Sequence, residues 1–168
     1  MGGVREAMRK FIVDNNVGKL AKLLRIMGYD TLFFNGSNDS RMVAIALDEG
    51  RVILTKDTQL MKRGVITKGR LKAILIQSDQ PERQMQQVVD SFHLDCRFKP
   101  FSVCLECSQP LVEKSKEQVK GLVPPFVFKT QNQFMECPGC HRIYWRGTHW
   151  QRMREKLNKF GKHPPDSS

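Results

Sequence analysis

Apolar and polar positions follow two different periods along residues 11–92. Apolar residues that recur at every third or fourth position predict helices with one buried face, and short continuous apolar runs predict buried strands. The predicted strands are 11–13, 31–34, 52–55 and 73–76, and the predicted helices are 17–27, 39–49, 58–63 and 81–92. Strands that alternate with helices pair in parallel, so we expect an α/β fold, a three-layer sandwich around a parallel sheet.

The pattern changes after residue 100. Two proline-containing apolar stretches, 121–125 and 126–128, have the composition of strands, and a basic amphipathic helix is predicted over 149–159. We therefore divide the chain into an α/β domain over 10–95 and a smaller C-terminal domain over 100–160.

The charge of the chain narrows its range of partners. The 168 residues include 28 Lys and Arg against 17 Asp and Glu, a formal net charge of +11. This balance favours a polyanion such as nucleic acid, although a basic protein without such a partner is the alternative. No apolar run approaches the roughly 20 residues of a membrane span, and the first residues lack the apolar core of a signal peptide. We expect a soluble protein of the cytoplasm without a membrane partner.

Four of the five cysteines form two Cys-x-x-Cys pairs, Cys104 with Cys107 and Cys137 with Cys140. Each pair places two thiolates on one tight turn, and two such turns complete a tetrahedral four-sulfur site for Zn²⁺. A site with four protein ligands has no open position for water, so we predict a zinc ribbon with a structural role. Redox-active pairs or unrelated free thiols are the alternatives.

Three aspartates follow predicted strands of the α/β domain. Asp14 and Asp57 come directly after the first and third strands, and Asp39 follows the second after a short loop. Because parallel strands end at the same edge of a sheet, we expect these carboxylates to converge and to bind Mg²⁺ or Mn²⁺. The alternative is that each aspartate caps the helix that follows it. Asp79, after the fourth strand, is predicted to be a loop residue, with a fourth edge carboxylate as the alternative.

Basic and aromatic residues are interleaved near the C-terminus, a combination that suits stacking and phosphate contacts with single-stranded RNA. Three basic residues lie near one polar stripe of the first predicted helix, which begins close to Asp14, and are further candidates for phosphate binding. The alternatives are that the aromatic residues pack the ribbon onto the α/β domain and that the basic residues only solvate their helix. The candidate RNA-binding residues are Lys19, Lys22, Arg25, Arg142, Trp145, Arg146, His149 and Arg152.

The order of these motifs resembles the mut-seven C-terminal RNase domain family over roughly residues 10–154. The segments that carry the resemblance are 14–25, 27–31, Asp39, 49–57, the two cysteine pairs and 142–150.

The resemblance implies a PIN-like nuclease domain fused to a zinc ribbon. It also implies metal-dependent RNA cleavage, with Asp14, Asp39 and Asp57 at the positions of the acidic, catalytic site. We therefore predict a ribonuclease that hydrolyses phosphodiester bonds with Mg²⁺ or Mn²⁺ and carries a structural Zn²⁺ in a ribbon that helps to bind RNA. The alternative is a non-catalytic RNA-binding module whose acidic site is vestigial.

Overall fold

The computed structural model describes residues 9–96, 99 and 101–161, without the side chains of His149 and residues 159–161. A four-stranded parallel sheet in the order β2-β1-β3-β4 forms the centre of the α/β domain. The strands are β1 (Lys10–Asp14), β2 (Thr31–Phe34), β3 (Arg51–Thr55) and β4 (Ala73–Leu75). All of β3 is buried, because helices cover both faces of a parallel sheet.

Helices connect these strands and pack on the two faces of the sheet, which confirms the predicted α/β sandwich. A 3₁₀ turn after β1 (Asn15–Val17) precedes α1, so the predicted helix over 17–27 is divided at Gly18. The helices are α1 (Lys19–Ile26), α2 (Asp39–Glu49), α3 (Thr58–Met61), α4 (Gly64–Thr67) and α5 (Pro81–Phe92). One core lies beneath α1 and α5, and a second core on the opposite face lies beneath α2, α3 and α4.

The C-terminal part contains a small antiparallel sheet in the order β5-β6-β7. Its elements are β5 (Val112–Lys114), α6 (Pro125–Thr130), β6 (Phe134–Glu136), β7 (Ile143–Tyr144) and α7 (Thr148–Gly161). The predicted C-terminal helix is confirmed as α7. Across the described part of the chain, no helix has both the length and the apolar character that crossing a membrane requires.

The two strands predicted over 121–125 and 126–128 are wrong, because the chain there forms a turn followed by α6. Pro125 stands in the first turn of the helix, where its missing N–H is not needed. Val127 and Phe128 are adjacent, yet both pack against the small core of this part, whereas neighbours on a strand would point to opposite faces. Apolar composition alone did not separate the two structures.

The C-terminal part packs directly on the α/β domain. Leu157 of α7 is only 2% exposed and belongs to the core beneath α1 and α5, with Leu105 and Met153 packed against it. Gly28, at φ +99°, ends the turn after α1, and a Cβ there would clash with the carbonyl of Lys99. The core beneath α1 and α5 therefore includes residues from both parts of the chain.

Candidate active site and zinc centre

The ends of β1 and β3 bring Asp14 and Asp57 to the same edge of the sheet. The hydroxyl of Thr55, the last residue of β3, donates to Asp14 Oδ2 at 2.7 Å. The same hydroxyl accepts from the backbone N–H of Asp57 at 3.0 Å. Thr55 is fully buried, so its position is well determined by packing. The sequence marks Thr55 as a residue that could hydrogen-bond an aspartate or a metal-bound water, with an ordinary strand residue as the alternative, and the structure gives it the contact with an aspartate.

Asp39 reaches this edge from the start of α2. It does not cap that helix, because Asn38 accepts the capping bond from the N–H of Arg41 at 3.2 Å. Burial raises the pKa of Asp39, as do the charge and hydrogen-bonding contact of Asp57 and the charge of Asp14. The structure therefore brings the three carboxylates within electrostatic range of one another, as the parallel topology requires.

Helix capping accounts for part of this arrangement. Asp14 Oδ1 accepts from the N–H of Asn15 at 2.8 Å, and Asp57 Oδ1 accepts from the N–H groups of Gln59 and Leu60 at 2.9 and 3.3 Å. Capping does not explain the position of Asp39, because Asn38 already caps its helix. Two of the three aspartates therefore cap helices, and the third adds a negative charge that repels both.

An oxygen-preferring cation fits the chemistry of this edge, because it would offset the repulsion among the carboxylates. Within the described residues, the ligand oxygens of the three aspartates do not all lie within 4.8 Å of one another. A cation at this edge would therefore be held by one or two of these carboxylates together with water ligands, as Mg²⁺ usually is.

The four predicted cysteines form a compact sulfur cluster. One Sγ from each of Cys104, Cys107, Cys137 and Cys140 lies within 4.8 Å of the others. Backbone N–H groups point at the first sulfur of each pair, at 3.4 Å for Cys104 and at 3.3 and 3.5 Å for Cys137. These bonds stabilise thiolates, and the cluster can hold a zinc ion.

Tyr144 supports this sulfur cluster from β7. Its Oη lies 3.1 Å from Cys104 Sγ and accepts from the N–H of Leu105 at 3.2 Å. Burial opposes ionisation of Cys104, but the hydrogen bonds from Tyr144 and two backbone amides outweigh it and lower the pKa of this thiol to about 7. Tyr144 therefore has a structural contact in the zinc centre.

The comparison with known families gives the chain its identity. The family model of the Mut7-C RNAse domain matches residues 9–157, which is most of the chain. The chain belongs to the Mut7-C RNAse domain family. No curated protein and no solved structure gives a match. Membership supports a nuclease or RNA-related function for this Mut7-C domain, with RNA as the substrate that the family implies.

Of the predicted RNA contacts on α1 of the Mut7-C domain, Lys19 and Lys22 are exposed but Arg25 is not. Arg25 is 5% exposed, and its guanidinium donates to the carbonyls of Thr31 at 2.9 Å and Leu105 at 2.6 Å. Burial lowers its pKa. This placement argues against a phosphate contact: Arg25 connects the sheet to the first cysteine pair.

The predicted contacts on the ribbon also divide into two groups. Arg142 and Arg152 are exposed, and Arg142 lines an open cavity with Trp145. Arg146 instead lies 5.1 Å from the ring centres of both Phe101 and Trp150, a cation–π contact between the ribbon and α7. The side chain of His149 lies outside the described residues.

Proposed function

We propose that this Mut7-C domain is a metal-dependent ribonuclease that hydrolyses RNA phosphodiester bonds. The observation that supports the proposal best is the convergence of Asp14, Asp39 and Asp57 at the carboxyl edge of the sheet, which helix capping explains only in part. The net charge of +11 supports a polyanionic substrate.

The three aspartates would hold Mg²⁺ or Mn²⁺, which when bound supplies an activated water and neutralises charge at the phosphorus. The chain's own contribution is to hold the ligands in position. The hydroxyl of Thr55 bonds to Asp14 and to the backbone of Asp57, so it links the carboxyl ends of β1 and β3. The N–H groups of α3 orient Asp57 through one oxygen.

The zinc ribbon would contribute binding rather than chemistry. Four cysteines surround its metal site, so a zinc ion there has a structural role. Its exposed Arg142, with Trp145 beside it, offers charge and a stacking surface to single-stranded RNA, and the exposed Arg152 of α7 offers a further charge. On the α/β domain, Lys19 and Lys22 offer further phosphate contacts near the acidic edge.

The test is cleavage of labelled single-stranded RNA by wild type and by Asp57→Asn at the same Mn²⁺ concentration. We expect the substitution to reduce cleavage more than about a hundredfold, because it removes a charged ligand. The melting temperature should change little, since Asn caps a helix about as well as Asp. The matched control is Asp48→Asn, at an exposed position in the last turn of α2.

A non-catalytic RNA-binding module is the second candidate, favoured by the capping bonds that Asp14 and Asp57 already make. It predicts RNA binding without any Mn²⁺-dependent cleavage by the wild type. Equal cleavage rates for wild type and Asp57→Asn would refute the assignment of these aspartates.

A further inference from the structure

A groove runs between α1 and α7, where the α/β domain meets the C-terminal helix. It contains a cavity of about 510 Å³, lined by Lys19, Lys22 and Leu23 of α1 and by Met153 and Lys156 of α7. Leu23 and Met153 are partly buried and pack against the main core, so they give the groove an apolar floor. The three lysines form its rim together with Glu82 in the first turn of α5, and the four side chains leave the rim with a net positive charge.

The groove continues to the acidic edge. A second cavity of about 420 Å³ is also lined by Lys19, together with Asn15 and Asn16. Asn16 donates from Nδ2 to Asp14 Oδ2 at 3.4 Å. The two cavities share Lys19 and Pro81, so they adjoin each other and extend from α7 toward Asp14. Asp79 also lines the second cavity.

The lysines of the rim are available to an anion. Lys19 is exposed and makes no ion pair with any residue that the structure describes. Lys22 Nζ lies 3.4 Å from Glu106 Oε1, and Lys156 Nζ lies 2.9 Å from Glu82 Oε1. All four of these side chains are at least 43% exposed. Exposed ion pairs of this kind contribute little to stability, so a phosphate can replace either carboxylate.

We propose that this groove binds the RNA strand and leads it to the acidic edge, an inference that rests on the proposed ribonuclease function. Lys19, Lys22 and Lys156 contact successive phosphates, while Leu23 and Met153 contact riboses or bases. Proteins hold single strands without reading their sequence in a positively charged groove that follows the backbone, and here aliphatic side chains replace the usual aromatic stacking surfaces. The main path of the RNA is then the junction of the two parts of the chain, not the outer face of the ribbon.

The first test measures binding of a short fluorescein-labelled oligouridylate by fluorescence anisotropy over a series of salt concentrations. All variants carry Asp57→Asn, so the probe stays intact. Adding Lys19→Gln and Lys156→Gln should weaken binding about tenfold and make the salt slope shallower by about 1.4, at about 0.7 for each phosphate contact in a single strand. Glutamine removes the charge and keeps part of the aliphatic stem, and because both lysines are exposed, packing should change little.

The matched control for this test is Lys62→Gln with Lys68→Gln. These exposed lysines end α3 and α4, which pack on the opposite face of the sheet. We expect their affinity to stay within about twofold of the parent, as for surface charges that contact no phosphate. The proposed RNA path would be overturned if the two pairs of substitutions lost equal affinity. It would also be overturned if Lys19→Gln with Lys156→Gln lost none.

The second test is photocrosslinking of a thiouridine-containing oligonucleotide, followed by mass spectrometry of the adducts. We expect adducts on peptides from both α1 and α7. Adducts confined to residues 141–145, on the ribbon, would overturn the groove. The two proposals can fail separately. Crosslinks on α1 and α7 without cleavage by the wild type would reject only the ribonuclease function. Normal cleavage without such crosslinks, and without loss of affinity in the groove variants, would reject only this RNA path.

Discussion

The backbone N–H of Thr31 donates a 2.7 Å hydrogen bond to the hydroxyl of Ser108, 77 residues further along the chain. Thr31 begins β2, the strand at one edge of the parallel sheet, and Ser108 follows the first cysteine pair. Both residues are buried. A side chain beside the zinc centre therefore completes the hydrogen bonding of a strand in the α/β domain, which makes the stability of each part depend on the other.

Substitution of Ser108 by Ala should destabilise the whole chain. It leaves the buried N–H of Thr31 without an acceptor, which costs about 1–3 kcal/mol of unfolding free energy. Chemical denaturation measures this difference. The control is Ser91→Ala on the exposed side of α5, where the hydroxyl bonds only the carbonyl of Gln87. A loss no larger for Ser108→Ala than for this control would show that the bond contributes nothing.

Removal of zinc should weaken the hydrogen bonding of the parallel sheet locally, at the start of β2. We expect one Zn²⁺ per chain by elemental analysis, and we expect Cys137→Ser to lose it and unfold the ribbon. Residues 10–92 should stay largely folded, but the amide of Thr31 should lose its partner and exchange about tenfold faster or more. The amide of Ile53, on the central strand β3, should keep its protection. Hydrogen exchange of the two proteins decides this, and unchanged protection at Thr31 would contradict it.

Substitution of Arg25 by Lys should reduce stability without changing RNA binding. A lysine cannot donate to the carbonyls of Thr31 and Leu105 in the same geometry, so we expect a loss of about 1–3 kcal/mol. Since Arg25 is buried, the salt dependence of RNA affinity should match that of wild type. Arg41→Lys, at an exposed position on α2, is the control for stability. If RNA affinity depended less steeply on salt in Arg25→Lys than in wild type, Arg25 would have to be a phosphate contact after all.

Substitution of Thr55 by Val should impair the acidic edge without removing a carboxylate. The variant keeps the shape of the side chain but loses the hydroxyl that positions Asp14 and Asp57. We expect cleavage to fall about tenfold or more and the Mn²⁺ concentration for half-maximal rate to rise. Thr55→Ser restores the hydroxyl and should recover most of the rate. Failure of Ser to recover it would mean that packing, not hydrogen bonding, is what the site requires.

The sequence by itself determined the features that depend on local pattern or on topology. Buried strands and amphipathic helices of the α/β domain are visible because their periods are local properties of the chain. The convergence of Asp14, Asp39 and Asp57 follows from parallel topology alone, since residues after parallel strands meet at one edge. The spacing of the two cysteine pairs predicts that their four sulfurs cluster, because a metal site restricts the type and the spacing of its ligands.

Only the tertiary structure decided the roles of side chains whose partners lie far away in sequence. Arg25 has the spacing of a surface residue, but carbonyls contributed by Thr31 and Leu105 make its burial possible. Arg146 likewise lies against Phe101 and Trp150, which no local pattern brings together. The carbonyls that accept from Arg25 and the rings that Arg146 lies against come from distant segments, so the positions of both side chains depend on how the parts of the chain pack.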